Sequence, residues 1–349
     1  MGCSAGEPGV DTSDYIRYRL AQMEAELPWS PAVMADAEAW QAALRSRLGV
    51  CVGAMDAERV PLDAEVHSSV SLDGYTRHAV VLQSRPGLAL FGYFLVPHST
   101  SEQLPAVVCL PGHGRGVDST VGIAEDGTQR PIGAPEEYQM DFALQCVQHG
   151  YAVFALEQIS FGWRRDEQAR AAGAGASSCV RDSMAAQMLG ESMTGWRVWD
   201  AIRSIDYLQS RPEVDPDRIA VMGISGGGLT ALFTAALDTR VKCAVVSGYF
   251  NTWRDSVLAI NHCVDNFMPG LMRLCEMPDL AGIIAPRALF AESGSEDSIF
   301  PLPAFRGACA RAEEIYAAFG VSQKFGHEVF AAGHQFHGAG AFHFLKRNL

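Results

Sequence analysis

Residues 223–227 read Gly-Ile-Ser-Gly-Gly, a G-x-S-x-G pattern centred on Ser225. It follows "RIAVMG", an apolar run from Arg218 that reads as a buried strand. It precedes "LTALFTAAL" from Leu229, a run of helix formers. A serine on a sharp strand-to-helix turn takes a strained backbone and needs small neighbours, which Gly223 and Gly227 supply. The helix behind it offers unpaired N–H groups and the positive end of a dipole. That setting suits attack on an acyl carbon; a plain glycine-rich connector is the alternative.

A serine of this kind is inert without a base and a carboxylate to orient the base. The chain order for a nucleophile on such a turn is serine, acid, histidine, with the last two just past strand ends. "RALFAESGSEDSIFP" (287–301) ends a strand near Ser293 and then offers Glu296 and Asp297. Asp297 is the expected acid and Glu296 its alternative; Glu292 lies inside the strand and should point into a packed face. "HEVFAAGHQFHG" (327–338) ends a strand near Gly333 and offers His334 and His337. His334 is the expected base because it directly follows the strand. His337 falls at the start of the last helix, where the dipole opposes the charge a base must acquire. Two backbone donors should hold the developing oxyanion. One is the N–H of Gly226. The other is the N–H of His113 in "PGHGRG" (111–116), with Gly114 as the alternative.

The rest of the chain has to position these groups. Up to about residue 60 it reads as two amphipathic helices. The first carries Ile16, Leu20, Met23 and Leu27; the second starts at Ser30-Pro31, carries Val33, Ala37, Trp40, Leu44 and Leu48, and ends at Gly49. Both should pack on the main body. "EVHSSVSL", "TRHAVVLQ" and "LALFGYFLVP", separated by Asp73-Gly74 and Pro86-Gly87, suggest an antiparallel start to a sheet. Strands then alternate with helices, including a helix over 136–150 and another over 195–211, which implies a mostly parallel sheet covered on both faces. The expected fold class is therefore α/β, with residues 1–60 a helical extension and 61–349 one domain. Segments 112–135 and 158–194 fit no strand–helix unit and should build the roof of the site.

Composition narrows the function classes. The chain has 349 residues, 48% hydrophobic and 19% charged, with a net charge of −13. That disfavours nucleic acid and anionic membranes as partners. No stretch reaches the roughly 18 apolar residues of a membrane helix. "MGCSAGEPGV" lacks the apolar core of a signal peptide, and Gly6 stands where acylation of Gly2 would need Ser or Thr. Nine cysteines without regular spacing suit a reduced, cytoplasmic protein, with Cys109 and Cys243 as small buried hydrophobes. "NHCVDNFMPGL" (261–271) raises a metal reading through His262, Cys263 and Asp265. Adjacent His and Cys cannot easily face one site, and no second cluster has ligand spacing. No metal and no cofactor are expected. The aromatic residues there and in "SFGWRRD" suggest an apolar pocket.

From about residue 85 onward the chain resembles the α/β-hydrolase superfamily, and within it the dienelactone hydrolase-like and acetylxylan esterase-like branch. The residues that carry the likeness are "LPGHGRG", "GISGGG", "ESGSEDSIFP" with its D-x-x-x-P, and "AGHQF". "GWRVWDAIRSIDYLQSRPEVDPDRI" is similar to the run before the turn in bacterial members, and the N-terminal helices resemble those before the hydrolase domain in some esterase-like members. The resemblance implies a serine nucleophile and a small-molecule ester substrate. It departs from the dienelactone enzymes, which have cysteine at the position of Ser225, and from many members at Pro111, where a histidine often stands. The competing functions are an amidase or peptidase on the same fold and a silent binding protein that keeps it. Oligomeric state is left open.

Overall fold

The apolar runs of the sequence become strands of a single sheet. The computed structural model describes residues 11–98 and 103–349, so "MGCSAGEPGV" and its leader and acylation readings lie outside the described residues. Strands β1 (Glu65–Leu72), β2 (Tyr75–Arg85) and β3 (Leu88–Pro97) form an antiparallel meander. Strands β4 (Leu104–Leu110), β5 (Ala152–Leu156), β6 (Val214–Ile224), β7 (Cys243–Ser247), β8 (Ala288–Gly294) and β9 (Phe325–Phe330) run parallel. The order across the sheet is β1-β2-β3-β5-β4-β6-β7-β8-β9, with β3 antiparallel to β5.

The parallel strands need apolar residues on both faces because both are covered. In β4, Ala106, Val108 and Leu110 join one core cluster while Val107 and Cys109 join the other; in β6, Ile219 and Val221 alternate in the same way with Ala220, Met222 and Ile224. The helices are α1 (Thr12–Ala21), α2 (Ala37–Val52), α3 (Phe142–Gln148), α4 (Glu167–Ala171), α5 (Cys179–Met188), α6 (Met193–Gln209), α7 (Gly226–Leu237), α8 (Leu271–Leu274), α9 (Leu280–Ile284), α10 (Leu302–Ala318) and α11 (Ala339–Asn348). The first cluster takes in α2, α6, α7, α9 and α10, and the second α3 and α11. This is the α/β arrangement that the alternation of strands and helices implies. No described helix is long and apolar enough to cross a membrane.

The N-terminal segment departs from expectation. Helix α2 is capped by the Asp36 carboxylate, which accepts from the N–H of Ala39, and it buries Trp40, Leu44, Leu48 and Val52. It runs through Gly49 and stops at Gly53, whose φ of 67° a glycine adopts freely. Helix α1 buries none of its residues; Ile16 is half exposed, and Arg254 donates to the carbonyl of Leu20. The second apolar stripe is packed on the body, whereas of the first stripe Leu27, beyond α1, is the residue that packs against the core. The helix expected over 136–150 shrinks to α3 because Met140 and Asp141 take positive φ, turning the chain just before it.

The two irregular segments are tied to one group at the end of β5. Glu157 is fully buried; one of its oxygens accepts from the N–H of Val117 (3.1 Å) and the other from the N–H of Trp163 (3.1 Å). A Cβ at Gly116 or Gly162 would strike this carboxyl. Burial pushes Glu157 up to about 8 from an ordinary 4.5, against its N–H contacts. A carboxyl with a raised folded value holds its proton where the unfolded chain has lost it, so its contribution to stability drains away as pH rises from about 4.5 to 8. Glu157→Gln should cost about 1–3 kcal/mol, because the amide turns an N–H group toward another N–H. It should also flatten the fall in stability over that pH window. Urea unfolding of both proteins across the window checks this; equal pH slopes would remove Glu157 from the account.

Candidate active site

Ser225 sits alone between β6 and α7 with φ 57° and ψ −123°. Its N–H donates to the carbonyl of Ser247 on β7 at 3.0 Å, which fixes the turn against the sheet. A Cβ on Gly223 would strike the backbone of Gly227, and one on Gly227 would strike the carbonyl of Leu110. The glycines therefore mark close backbone approach on either side of a strained serine. Such a conformation costs about 1–3 kcal/mol and persists only where the surroundings enforce it.

Asp297 follows β8 and is buried. Its Oδ1 accepts from the N–H groups of Ile299 (2.8 Å) and Phe300 (3.0 Å), which leaves Oδ2 for the Nδ1 of His334 at 2.7 Å. Strand β9 stops at Phe330, short of the expected end near Gly333, so His334 lies on a bend beyond it rather than on the strand's last residue. The ring lies nearly parallel to those of Tyr138 (5.6 Å) and Phe300 (5.7 Å). Its Nε2 is shut off from solvent and has no hydrogen-bond partner among the described residues. The alternatives are engaged elsewhere. Glu296 is exposed. Glu292 accepts from the Ser247 hydroxyl and from the N–H groups of His337 and Gly338. The His337 ring lies 3.4 Å from Glu328 and stacks on Phe330.

On the other side of Ser225 runs the loop 111–116. The phenol of Tyr138 donates to the carbonyl of His113 at 2.6 Å and neighbours the Ser225 hydroxyl; burial holds the phenol well above its ordinary value. In a trans peptide the carbonyl and the following N–H point opposite ways. The carbonyl of His113 faces Tyr138, so the N–H of Gly114 is turned away from it. The His113 ring packs on Phe161 (4.5 Å) and beside Gly226, where a Cβ would sit 3.3 Å from Nδ1. Phe161 is thus a buried support rather than the pocket lining its sequence suggests, while Trp163 is exposed and donates its ring N–H to Asp118.

The segment 261–271 also differs from its sequence reading. His262 turns its ring edge toward Phe300 (5.8 Å). Cys263 and Asp265 instead converge with His113 and Cys179, the four donor atoms all within 4.8 Å of one another. Arg197 of α6, fully buried, donates to Asp265 (2.6 Å), to Cys179 (3.4 Å) and to the carbonyl of Ile159 (3.0 Å), with its guanidinium over Phe161 at 4.2 Å. Burial alone would raise the Asp265 carboxyl, but Arg197 and His113 outweigh it and hold it well below the ordinary range. Burial would lower His113, but Asp265 outweighs that and brings it up to about 9. Tyr138, Cys179 and Arg197 were not singled out from the sequence. Only Arg197 carried a signal, as a charge on the helix face that buries Ala201, Ser204 and Leu208.

The sequence model of the Abhydrolase family matches residues 10–312. The chain is 28% identical over 248 residues to YtaP of Bacillus subtilis (strain 168), named as a candidate hydrolase, covering 69% of this chain and 77% of that protein. It is 26% identical over 204 residues to a protein named 4-O-methyl-glucuronoyl methylesterase from Phanerochaete carnosa (strain HHB-10118-sp), covering 51% of this chain and 48% of that one. Among solved structures, a candidate acetyl xylan esterase from Bacteroides fragilis NCTC 9343 superposes with a TM-score of 0.77 at 16% identity, covering 95% of this chain and 84% of that one. A glucuronoyl esterase from Solibacter usitatus gives 0.67 at 18% identity, covering 94% and 99%. At these identities the structural likeness shows the fold.

The strain at Ser225 has a measurable consequence. Ser225→Gly should relieve about 1–3 kcal/mol of backbone strain. About 0.5–1 kcal/mol of that is offset by the freedom glycine adds to the unfolded chain. Denaturant midpoints should therefore place Ser225→Gly level with or above Ser225→Ala, while Gly227→Ala should fail to fold. A Ser225→Gly protein clearly weaker than Ser225→Ala would contradict the strained turn.

Proposed function

The chain belongs to the Abhydrolase family, and from that premise we propose that it is a serine hydrolase that cleaves a carboxylic ester through an acyl-enzyme, with Ser225 as nucleophile, His334 as base and Asp297 as the orienting acid. The observation that carries this reading is the Asp297–His334 pair at 2.7 Å, whose far nitrogen is buried and without a partner. Such a nitrogen is set to take the serine proton, and Asp297 fixes the tautomer that leaves it free. Attack by the Ser225 Oγ on the ester carbonyl forms a tetrahedral oxyanion. The N–H groups of Gly226 and His113 are the proposed donors to it. Gly226 is the first residue of α7, so its N–H has no partner within the helix, and the N–H of Gly114 faces away. His334 then returns the proton to the departing alcohol, and water repeats the sequence to release the acid.

The substrate class follows from the relatives. They are named for acetyl xylan and for 4-O-methyl-glucuronoyl methyl esters, so the proposed substrate is an acetyl or methyl ester carried on a carbohydrate. A fluorophosphonate probe should label the parent at Ser225 and leave Ser225→Ala unlabelled. Turnover of acetylated xylo-oligosaccharides or methyl glucuronate should fall by about 10³–10⁶-fold in Ser225→Ala and His334→Ala, since triad members act as a unit. His337→Ala should keep most of its rate. If His337→Ala is dead and His334→Ala active, the base is misassigned; a folded parent that takes no probe would sink the hydrolase reading altogether.

A further inference from the structure

We propose that His113, Cys179, Cys263 and Asp265 bind one divalent transition-metal ion of the zinc class, which clasps the loop after β4 to the two segments beside it. The four side chains come from three separate stretches: the loop after β4, the first residue of α5, and the loop after β7. Cys179 Sγ lies 3.5 Å from Cys263 Sγ and 3.1 Å from Asp265 Oδ2, and His113 Nε2 lies 3.3 Å from that same oxygen. A tetrahedral ion bound at about 2.0–2.3 Å sets its ligands about 3.3–3.8 Å apart along each edge. These three spacings lie within a few tenths of an ångström of that range, and all four donor atoms lie within 4.8 Å of one another.

Two further observations point the same way. The His113 Nε2 is shut off from solvent and, despite its 3.3 Å approach to Asp265, makes no hydrogen bond among the described residues. A ligand bond would satisfy it. Arg197 is anchored by the carbonyl of Ile159 and the ring of Phe161, and from there reaches both Asp265 and Cys179. Such a cation, bonded to the ligands rather than to the ion, offsets the charge of thiolates, as outer partners of metal sites commonly do. The ion takes the place of the proton on each thiol, and His113 binds it through the ring nitrogen that has no other partner. With both thiols ionised, the two thiolates and Asp265 together balance the Arg197 cation and the doubly charged ion, and the buried cluster ends neutral.

Two thiols alone would suit a redox pair, but an imidazole and a carboxylate meeting at the same point favour ligation. Thiolate and imidazole donors select zinc-class ions over magnesium or calcium. Four protein ligands leave no open position, so the ion acts on structure and not as a Lewis acid. It holds the ring of His113 in place and with it the loop 111–116. The inference does not depend on the proposed hydrolase reaction, because it is read by metal binding.

The full-length protein, grown with zinc and purified without a metal-affinity step, should carry about one zinc per chain by mass spectrometry. After stripping with dipicolinate, a titration with divalent cobalt should give the ligand-field bands of a tetrahedral thiolate site and a thiolate-to-cobalt charge-transfer band, both erased by zinc. Cys263→Ser, on a half-exposed loop, should bind zinc about 100-fold more weakly or worse, since losing even a group that only supports a ligand costs about 10–100-fold. His262→Ala, next in sequence but turned toward Phe300, should bind as the parent does. Folded protein that neither retains zinc nor develops the cobalt bands overturns the site. So does a folded Cys263→Ser that binds like the parent.

Discussion

The contact on which the rest of the site depends is the close approach of residues 223–227 to the carbonyl of Leu110. Gly227 passes so near that carbonyl that no side chain fits, and Gly223 is closed in the same way by Gly227 itself. The chain can leave β6 and enter α7 within one residue only because these positions are bare. The cost is concentrated at Ser225, which is forced to φ 57°. Its backbone N–H is drawn to Ser247 on the neighbouring strand, so the sheet holds the strain in place. The serine hydroxyl is thereby presented at a fixed point, and every other group is placed relative to it.

The surrounding loops are held by buried polar anchors rather than by periodic structure. Glu157 joins the loops that follow β4 and β5 through two N–H groups. Asp297 uses one oxygen to fix its own turn and keeps the other for His334. Glu292, deeper in β8, collects the hydroxyl of Ser247 and the N–H groups of His337 and Gly338. Each carboxylate takes up backbone donors that helices and strands leave unpaired at their ends. A loop pinned this way can carry a reactive group without the support of regular hydrogen bonding.

This division explains what was legible in the sequence. The parallel sheet was, because "AVVCL", "YAVFAL" and "VKCAVVSG" are apolar on both faces and alternate with helical runs. The turn at Ser225 and the pairing of Asp297 with His334 could be anticipated too, since each residue follows a strand-like run. Helix ends were less so: Gly49 reads as a stop, yet the helix continues to Val52 because the packing of Leu48 and Val52 outweighs one glycine. The apolar stripe of the first helix carried no information about whether anything would cover it. Tyr138 was invisible because it was read as part of a helix that starts only at Phe142, and Cys179 because it lies in a segment with no readable period. The cluster around Asp265 was missed because ligand spacing along the chain says nothing when the donors come from three separate stretches.

The result is a site of opposite character on its two sides. Toward His334 the charge is negative, with Asp297 buried and its oxygens fully directed. Toward Gly226 it is positive: the N-terminus of α7 points there, and the ring of His113 and the guanidinium of Arg197 both pack within about 4 Å of where a Gly226 side chain would be. On the proposed mechanism the first side must take up a proton and become cationic, and the second must meet an oxygen becoming anionic. Both changes move charge toward the group already placed to receive it, so little has to reorganise as the reaction proceeds. Asp265 sets the limit on this arrangement. It pairs with Arg197 and lies 3.3 Å from the ring of His113, so the Arg197 cation is not left buried and unpaired, a state that burial would not tolerate.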